Sequence, residues 1–236
     1  MSTELMKILC TICMRGGSKG VPNKNLRLLK GKPLMAYTIE KAIKSELFEH
    51  IVVSTDSEQI AEISQSFGAE SWFLRPAHLA TDNAAKLPAI RHAFLESEKK
   101  FNKSYDILFD LDATSPLRKT KDIIKAYNKF INEKSDVLIT GSLSRKNPYF
   151  NMVEIDNNTA SLVKKPQGNV VRRQDAPSVY DMNASIYIWR REALFKYDSI
   201  FTEKTSLYIM PEERSIDIDT ELDWKLVELL IDDING

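Results

Sequence analysis

A doubly wound, mostly parallel α/β sheet is the fold class this sequence predicts, and three observations predict it. Strand-length apolar runs alternate with helix-period segments through the first 142 residues. The runs are apolar at nearly every position, as in parallel strands covered on both faces. The chain has 236 residues, 43% of them hydrophobic, which is enough to bury one full core without disulfides. In this topology ligands sit outside the carboxyl ends of the strands.

The elements follow in order. "KILCTIC" (7–13) is the first buried strand. "PLMAYTIEKAIKS" (33–45) is a helix with proline at its first position. "HIVVSTD" (50–56) is a strand, and "SEQIAEISQSFG" (57–68) a helix with a polar start and a glycine stop. "AESWFL" (69–74) reads as a third strand and "NAAKLPAIRHAFLES" (83–97) as a helix with Pro88 near its start. "YDILFDLD" (105–112) is a strand, "TKDIIKAYNKFINE" (120–133) a helix and "SDVLITG" (135–141) a strand.

The alternation stops near Leu143. Residues 143–177 are polar and turn-rich, with a hairpin expected across Asn157-Asn158. They are read as an excursion from a core made of residues 1–142 and 178–236. "NASIYIW" (183–189) returns to the core as a strand, and "SLYIM" (206–210) is another. "DTELDWKLVELLID" (219–232) closes the chain as an amphipathic helix with Leu222, Leu226, Leu229 and Leu230 on one face.

Composition excludes several function classes. Thirty-three basic and 33 acidic side chains cancel, which argues against coating nucleic acid or membrane by bulk charge. No apolar run approaches the roughly 20 residues that span a bilayer. The start of the chain lacks the parts of a secretory leader, so a cytoplasmic protein is expected. Cys10 and Cys13 form a C-x-x-C, but in a strand residues three apart face opposite sides, so a metal or redox pair is disfavoured. The three histidines share no motif.

Chemistry concentrates in four places. "ICMRGGSKGVPNKN" (12–25) follows the first strand. No acidic residue lies between Glu4 and Glu40, while Lys7, Arg15, Lys19, Lys24, Arg27, Lys30 and Lys32 do. Gly16, Gly17 and Gly20 let backbone N–H groups approach an anion, so the stretch reads as a polyphosphate cradle, with a solvated basic turn as the bland reading. It matches neither common phosphate-loop pattern, and Pro22 prevents a helix from starting at once. Next, "SIDIDTELD" sets Asp217 and Asp219 two apart on one side of an extended segment, where they could share Mg²⁺. Helix capping by Asp219 is the plainer alternative. In "DLDATSPLR", Asp112, Thr114 and Ser115 stand at a strand end, and Arg118 either reaches the site or caps a neighbour. In "RRQDAPSVYDMNAS", Arg172, Arg173, Gln174, Asp181 and Asn183 flank the return to the core. A phosphate cradle with an acidic pair points to phosphoryl or nucleotidyl transfer.

Together these motifs resemble the N-acylneuraminate cytidylyltransferases, the CMP-sialic acid synthetases, nearly end to end. The resemblance is carried by "RGGSKGVPNKN", "IVVSTD", "RPAHLATDNA", "TSPLR", "RRQDAP", "NASIYI", "LYIM" and "SIDIDTELD", in order. It implies a Rossmann-like domain, a homodimer formed through the 143–177 excursion, and an obligate Mg²⁺ or Mn²⁺. It implies the reaction of CTP with a nine-carbon sugar acid to give a CMP-sugar and pyrophosphate. By position, Ile12, Cys13, Met14 and Arg15 would frame cytosine. Arg15, Ser18, Lys19, Lys24 and Asn25 would take the phosphates, with Arg75 also in the nucleotide site. Asp217 and Asp219 would hold the metal, and Asp112, Thr114, Ser115, Arg173, Gln174, Asp181 and Asn183 would line the sugar pocket.

This chain departs from that pattern at three positions. Met14 stands where the family's loop usually has alanine. Asp112 stands at a usual glutamine, and Asp181 at a frequent arginine. The last two lie in the expected sugar pocket. "DLDATSPLR" and "YDMNASIYIW" look more like synthetases for legionaminic acid, a 5,7-diacetamido relative of sialic acid, with pseudaminic and neuraminic acid as alternatives. The Q-G-D-E-P loop of 3-deoxy-manno-octulosonate cytidylyltransferases is absent, and an inert nucleotide-binding relative would be expected to lose Arg15 or the acidic pair.

Overall fold

The computed structural model of the protein describes residues 6–165 and 172–235. The chain runs through β1 (Ile8–Cys13), a small hairpin of β2 (Leu28–Leu29) and β3 (Lys32–Pro33), α1 (Leu34–Ser45), β4 (His50–Ser54) and α2 (Glu58–Ser66). Then come α3 (Lys86–Phe101), β5 (Ile107–Leu111), α4 (Thr120–Asn132) and β6 (Val137–Leu143). The excursion carries β7 (Val153–Asp156) and β8 (Thr159–Leu162). The chain closes with β9 (Tyr180–Met182), β10 (Ile186–Arg190), α5 (Arg191–Lys196), β11 (Thr205–Ile209) and α6 (Glu221–Asn235).

The central sheet has the order β11-β6-β10-β5-β1-β4. β1 is parallel to β4 and β5, and β11 to β6, whereas β10 is antiparallel to both β5 and β6. Five strands thus share one direction and present their carboxyl ends along one edge. β9 lies against the far end of β6, also antiparallel. β9 and β10 form one run broken at residues 183–185, where Ala184 takes a positive φ of 50°.

Two apolar layers sandwich the sheet. Met35, Ile39, Ile60, Ile123 and Phe130 of α1, α2 and α4 cover one face, while Ile90, Phe94, Ala193 and Leu194 of α3 and α5 cover the other. Cys10 belongs to the first layer and Cys13 to the second, so the two thiols cannot pair. Burial raises both thiols well above their ordinary pKa, Cys13 to about 12. A third cluster joins Val21, Leu29 and Leu34 to Ile218, Trp224, Val227 and Ile231, and so fastens α6 beneath the basic loop.

Local chemistry sets the ends. Ser57 caps α2 through its hydroxyl, and Gly68 with φ 93° ends it. The hairpin at Asn157-Asn158 forms as expected, with φ of 47° and 61° at the two turn residues, the signature of a type I′ turn.

Two expectations are corrected. Residues 69–74 make a single bridge, Glu70 to Val52, rather than a strand. After it, Trp72 and Phe73 turn into the apolar layer against Phe101 and His92. The leucine stripe of α6 meets the core only through Leu230, which packs on the third cluster. Leu222, Leu226 and Leu229 are exposed, and Trp224, Val227 and Ile231 are the buried side. Two extended pieces, β9 and the β2–β3 hairpin, and the one-and-a-half-turn α5 lay below the reach of periodicity.

Lys41 is 9% exposed and donates to the Pro116 carbonyl. Burial, aided by the neighbouring Arg118 charge, brings its pKa down to about 7. The unfolded chain keeps this proton up to about pH 10. Above pH 7 the unfolded state therefore binds more protons, and this group makes stability rise with pH by up to about 1.4 kcal/mol per unit. Lys41→Met should flatten that rise, measured as the urea midpoint between pH 7 and 9.

Candidate active site

From β1 the chain moves outward to β4, then returns to β5 on the other side of β1. The connections leaving β1 and β5 therefore diverge and open a crevice between them, where an open α/β sheet binds ligands. A cavity of about 260 Å³ lies there. Cys13 to Arg15, Gly17 to Gly20, Lys24 and Asn25 form one wall, and Asp112, Thr114 and Asp219 the other.

Buried groups shape the basic loop from below. Met14 N donates to Ser54 O at 3.1 Å. Arg75, 8% exposed, donates to Ser54 O at 2.5 Å, Ser54 Oγ at 3.1 Å and the Met14 carbonyl at 3.3 Å. It supports the loop from behind rather than facing the cavity. Asn25, also buried, donates from Nδ2 to Arg15 O at 3.0 Å and closes the loop on itself. Gly16 N donates to Asp56 Oδ1 at 2.8 Å. Ile12 points into the core. Arg15 and Lys19 both pair with Asp82, whose carboxyl they hold below its ordinary pKa.

The acidic segment meets this loop directly. Ile218 N donates to Thr114 O at 3.0 Å, and Lys24 Nζ contacts the Ile218 carbonyl and, at 3.3 Å, Asp219 Oδ1. Gly20 packs so closely on Asp219 that a Cβ would run into its carbonyl. Asp219 does not cap α6. Asp223 accepts from the N–H groups of Asp219 and Thr220, and Thr220 Oγ1 accepts from Asp223 N. Asp219 is free to face the cavity, 74% exposed. Asp217 is partly buried, and burial with the nearby Asp112 charge raises its pKa to about 6. Its Oδ1 is buried without a hydrogen-bond partner.

The residues expected around a sugar divide into three groups. Asp112 and Thr114 line the cavity. Ser115 and Asn183 are buried and internally bonded. Ser115 Oγ donates to Asn183 O at 3.4 Å. Asn183 donates to Ser215 Oγ at 3.0 Å and accepts from Thr140 Oγ1 at 2.6 Å. They hold the crevice together from within. Arg173 lines a separate cavity of about 700 Å³ with Arg145, Leu143, Met210 and Glu212, and donates to Ser144 O at 2.6 Å. Gln174 is exposed beside it. Asp181 is exposed on β9, opposite Ser142. Residues 166–171 of the excursion lie outside the described residues.

Arg118, expected at the site or at a cap, is fully buried. It donates to Ser185 O, Ser185 Oγ, Thr38 Oγ1 and Asp112 O. Sequence reasoning missed Lys86, which contacts Asp110 Oδ2 and Asp112 Oδ2, each at 2.7 Å. Nothing in "NAAKLP" marks that lysine, because its partners are 24 and 26 residues away.

Among the described residues no cluster of three or more His, Cys, Asp or Glu side chains forms a self-sufficient metal cage. Asp217 and Asp219 are a two-carboxylate donor set, with the orphaned Oδ1 of Asp217 among its oxygens. That set suits a hard divalent cation taking its other ligands from phosphate and water. No described helix is long and apolar enough to cross a membrane.

The cytidylyltransferase family profile matches residues 9–231. The post-translational flagellin modification protein B of Campylobacter coli is 51% identical over 98% of this chain and 97% of its own. The CMP-N,N'-diacetyllegionaminic acid synthase of Campylobacter jejuni is 52% identical over 96% of each chain. A solved CMP:2-keto-3-deoxy-manno-octonic acid synthetase complexed with CTP superposes with a TM-score of 0.70. That match covers 96% of this chain and 99% of the other at 17% identity, a likeness of fold.

The contact between Gly20 and Asp219 carries a direct expectation. Gly20→Ala should push the loop off the acidic segment and weaken CTP binding about tenfold or more, a loss of roughly 1.4 kcal/mol. Calorimetric titration with CTP, alongside an unchanged far-UV circular dichroism spectrum, checks it.

Proposed function

The chain belongs to the cytidylyltransferase family, and from that premise we propose that it joins CTP to a nonulosonic acid, giving a CMP-sugar acid and pyrophosphate. The observation that carries the reading is one crevice at the sheet's switch point. There a basic glycine loop faces Asp112, Thr114 and Asp219. N,N'-diacetyllegionaminic acid is the favoured acceptor. The support is the end-to-end likeness to a synthase named for that product.

The reaction is a single in-line displacement. The anomeric C2 hydroxyl oxygen forms a bond to the α-phosphorus of CTP. The bond from that phosphorus to the bridging oxygen breaks, pyrophosphate leaves, and the hydroxyl proton passes to solvent. The backbone of residues 13–15 borders the cavity where cytosine would lie. Arg15 and Lys19 exchange Asp82 for phosphate oxygens. Lys24, tied to Asp219, compensates charge on the departing pyrophosphate. Asp112 and Thr114 receive the acceptor, with Arg173, Gln174 and Asp181 toward its far end.

Asp217 and Asp219 would hold Mg²⁺ or Mn²⁺ with the phosphates. Such an ion supplies charge compensation and lowers the pKa of the attacking hydroxyl. Residues 217–219 are tied to the turn after β5 by the Ile218–Thr114 bond and to the basic loop by Lys24.

Pyrophosphate release should require CTP and a nine-carbon sugar acid, fastest with N,N'-diacetyllegionaminic acid in a panel. Arg15→Ala and Asp217→Ala should each lower kcat/KM by about 100-fold or more. Full turnover by Asp217→Ala would sink the metal assignment, and unchanged CTP kinetics in Arg15→Ala would sink the cradle.

A homodimer is part of the same reading. The β7–β8 hairpin exposes Val153 at 63% and Ile155 at 76%, apolar surface that a monomer would leave in water. Sedimentation should give a dimer for the parent chain and a monomer for Val153→Lys/Ile155→Lys. A monomeric parent chain at micromolar concentration would overturn this.

A further inference from the structure

Beneath the crevice lies an ionic group of which the reaction scheme uses only Asp112. Lys86, the first residue of α3, sends its ammonium inward to Asp110 Oδ2 and Asp112 Oδ2, each 2.7 Å away. Asp110 is completely buried, and its Oδ1 accepts from Thr11 Oγ1 of β1 at 2.9 Å. That anchors the lysine to the sheet. The Lys86 ammonium also lies 5.3 Å from the centre of the Tyr187 ring, which is stacked on Trp189. The lysine is thus fixed by two carboxylates and an aromatic wall.

Asp112 is different from Asp110. Its side chain is 19% exposed and faces the crevice. One carboxylate oxygen is taken by Lys86, and the other accepts from Thr114 Oγ1 at 3.2 Å. The carboxylate is therefore held at both ends, with lone pairs left to accept from a ligand N–H or O–H. Burial works against the charge of Lys86, but the two aspartates outweigh it and hold the ammonium well above its ordinary pKa.

Charge makes this arrangement matter. The acceptor is an acid and CTP is a polyanion. Without Lys86, the buried Arg118 and the loop's Lys24 would be left facing Asp110, Asp112 and Asp217, and the Asp112 carboxylate would lose its direct cationic partner under two negatively charged substrates. With it, Asp112 meets the acceptor as one arm of an ion pair.

We propose that Lys86 is a positioning residue for acceptor specificity, neutralising Asp112 and aiming its carboxylate at a donor group of the sugar acid. The inference rests on the cytidylyltransferase reading above.

Steady-state kinetics on the full chain test it. CTP would be varied against N,N'-diacetyllegionaminic acid and N-acetylneuraminic acid, for Lys86→Met, Lys86→Arg and the Lys86→Met/Asp112→Asn double variant. Lys86→Met should raise the KM for the sugar acid by about tenfold or more while the KM for CTP stays within about twofold. Lys86→Arg should keep the preference between the two sugars. The double variant leaves the buried Asp110 carboxylate without its counter-charge, so Lys86→Met/Asp110→Asn/Asp112→Asn is measured beside it. Both should lose most of the discrimination, the triple variant with a melting temperature nearer that of the parent. A folded double or triple variant with parental sugar KM and parental discrimination would overturn the proposal. So would a Lys86→Met variant whose CTP and sugar KM values rise together. A parent chain that turns over no nine-carbon sugar acid would instead overturn the proposed function, and the role of Lys86 with it.

Discussion

The Arg118 guanidinium is the interaction on which the rest of the crevice depends. It is fully buried, and burial depresses its pKa to about 10, still well above neutrality. Its bonds reach α1 through Thr38, the turn after β5 through Asp112 O, and the break between β9 and β10 through Ser185. Those three elements are distant in sequence. Carbonyls and hydroxyls left unpaired there would each cost about 1–3 kcal/mol, so the arginine imposes one arrangement on all of them. Asn183 and Ser115 fill the same break with further bonds. The direction in which Asp112 and Thr114 leave the sheet follows from this buried polar knot.

A second constraint acts from the opposite wall. Gly20 lies on the backbone of Asp219, Lys24 bonds Ile218 and Asp219, and α6 packs Trp224 and Val227 under Val21 and Leu29. Residues near both ends of the chain therefore form one unit. The positive loop and the negative segment are brought together by packing, and their charges then complement each other across the cavity. The Lys24–Asp219 pair is exposed on the acidic side, so by itself it stabilises little. Apolar packing supplies the proximity.

Much of the fold was legible because it rests on short-range signals. β1, β4, β5 and β6 are strand-length runs buried nearly throughout, and the Asn157-Asn158 turn needed only two residues tolerant of positive φ. Residues 69–74 misled because Trp72 and Phe73 are apolar for packing against aromatic neighbours, not for pairing with a strand. The α6 stripe misled because leucine frequency outweighed the single buried tryptophan. At the site, the glycine loop and the acidic pair could be read from composition and spacing. Arg75, Ser115, Asn183 and Arg118 could be named but not separated into lining and support, since that depends on which side of a backbone each one sits. Lys86 was invisible, because its meaning comes from carboxylates on a neighbouring strand.

Asp82 gives the basic loop a further property. Arg15 and Lys19 are already paired with a carboxylate of the same chain. An incoming triphosphate therefore exchanges one anion for another instead of filling a naked positive field. Exposed pairs of this kind are individually weak, so the exchange opposes a multivalent ligand only slightly. Part of the counter-charge is thus already in place, and the salt dependence of nucleotide uptake should be shallower than the loop's count of basic residues would suggest.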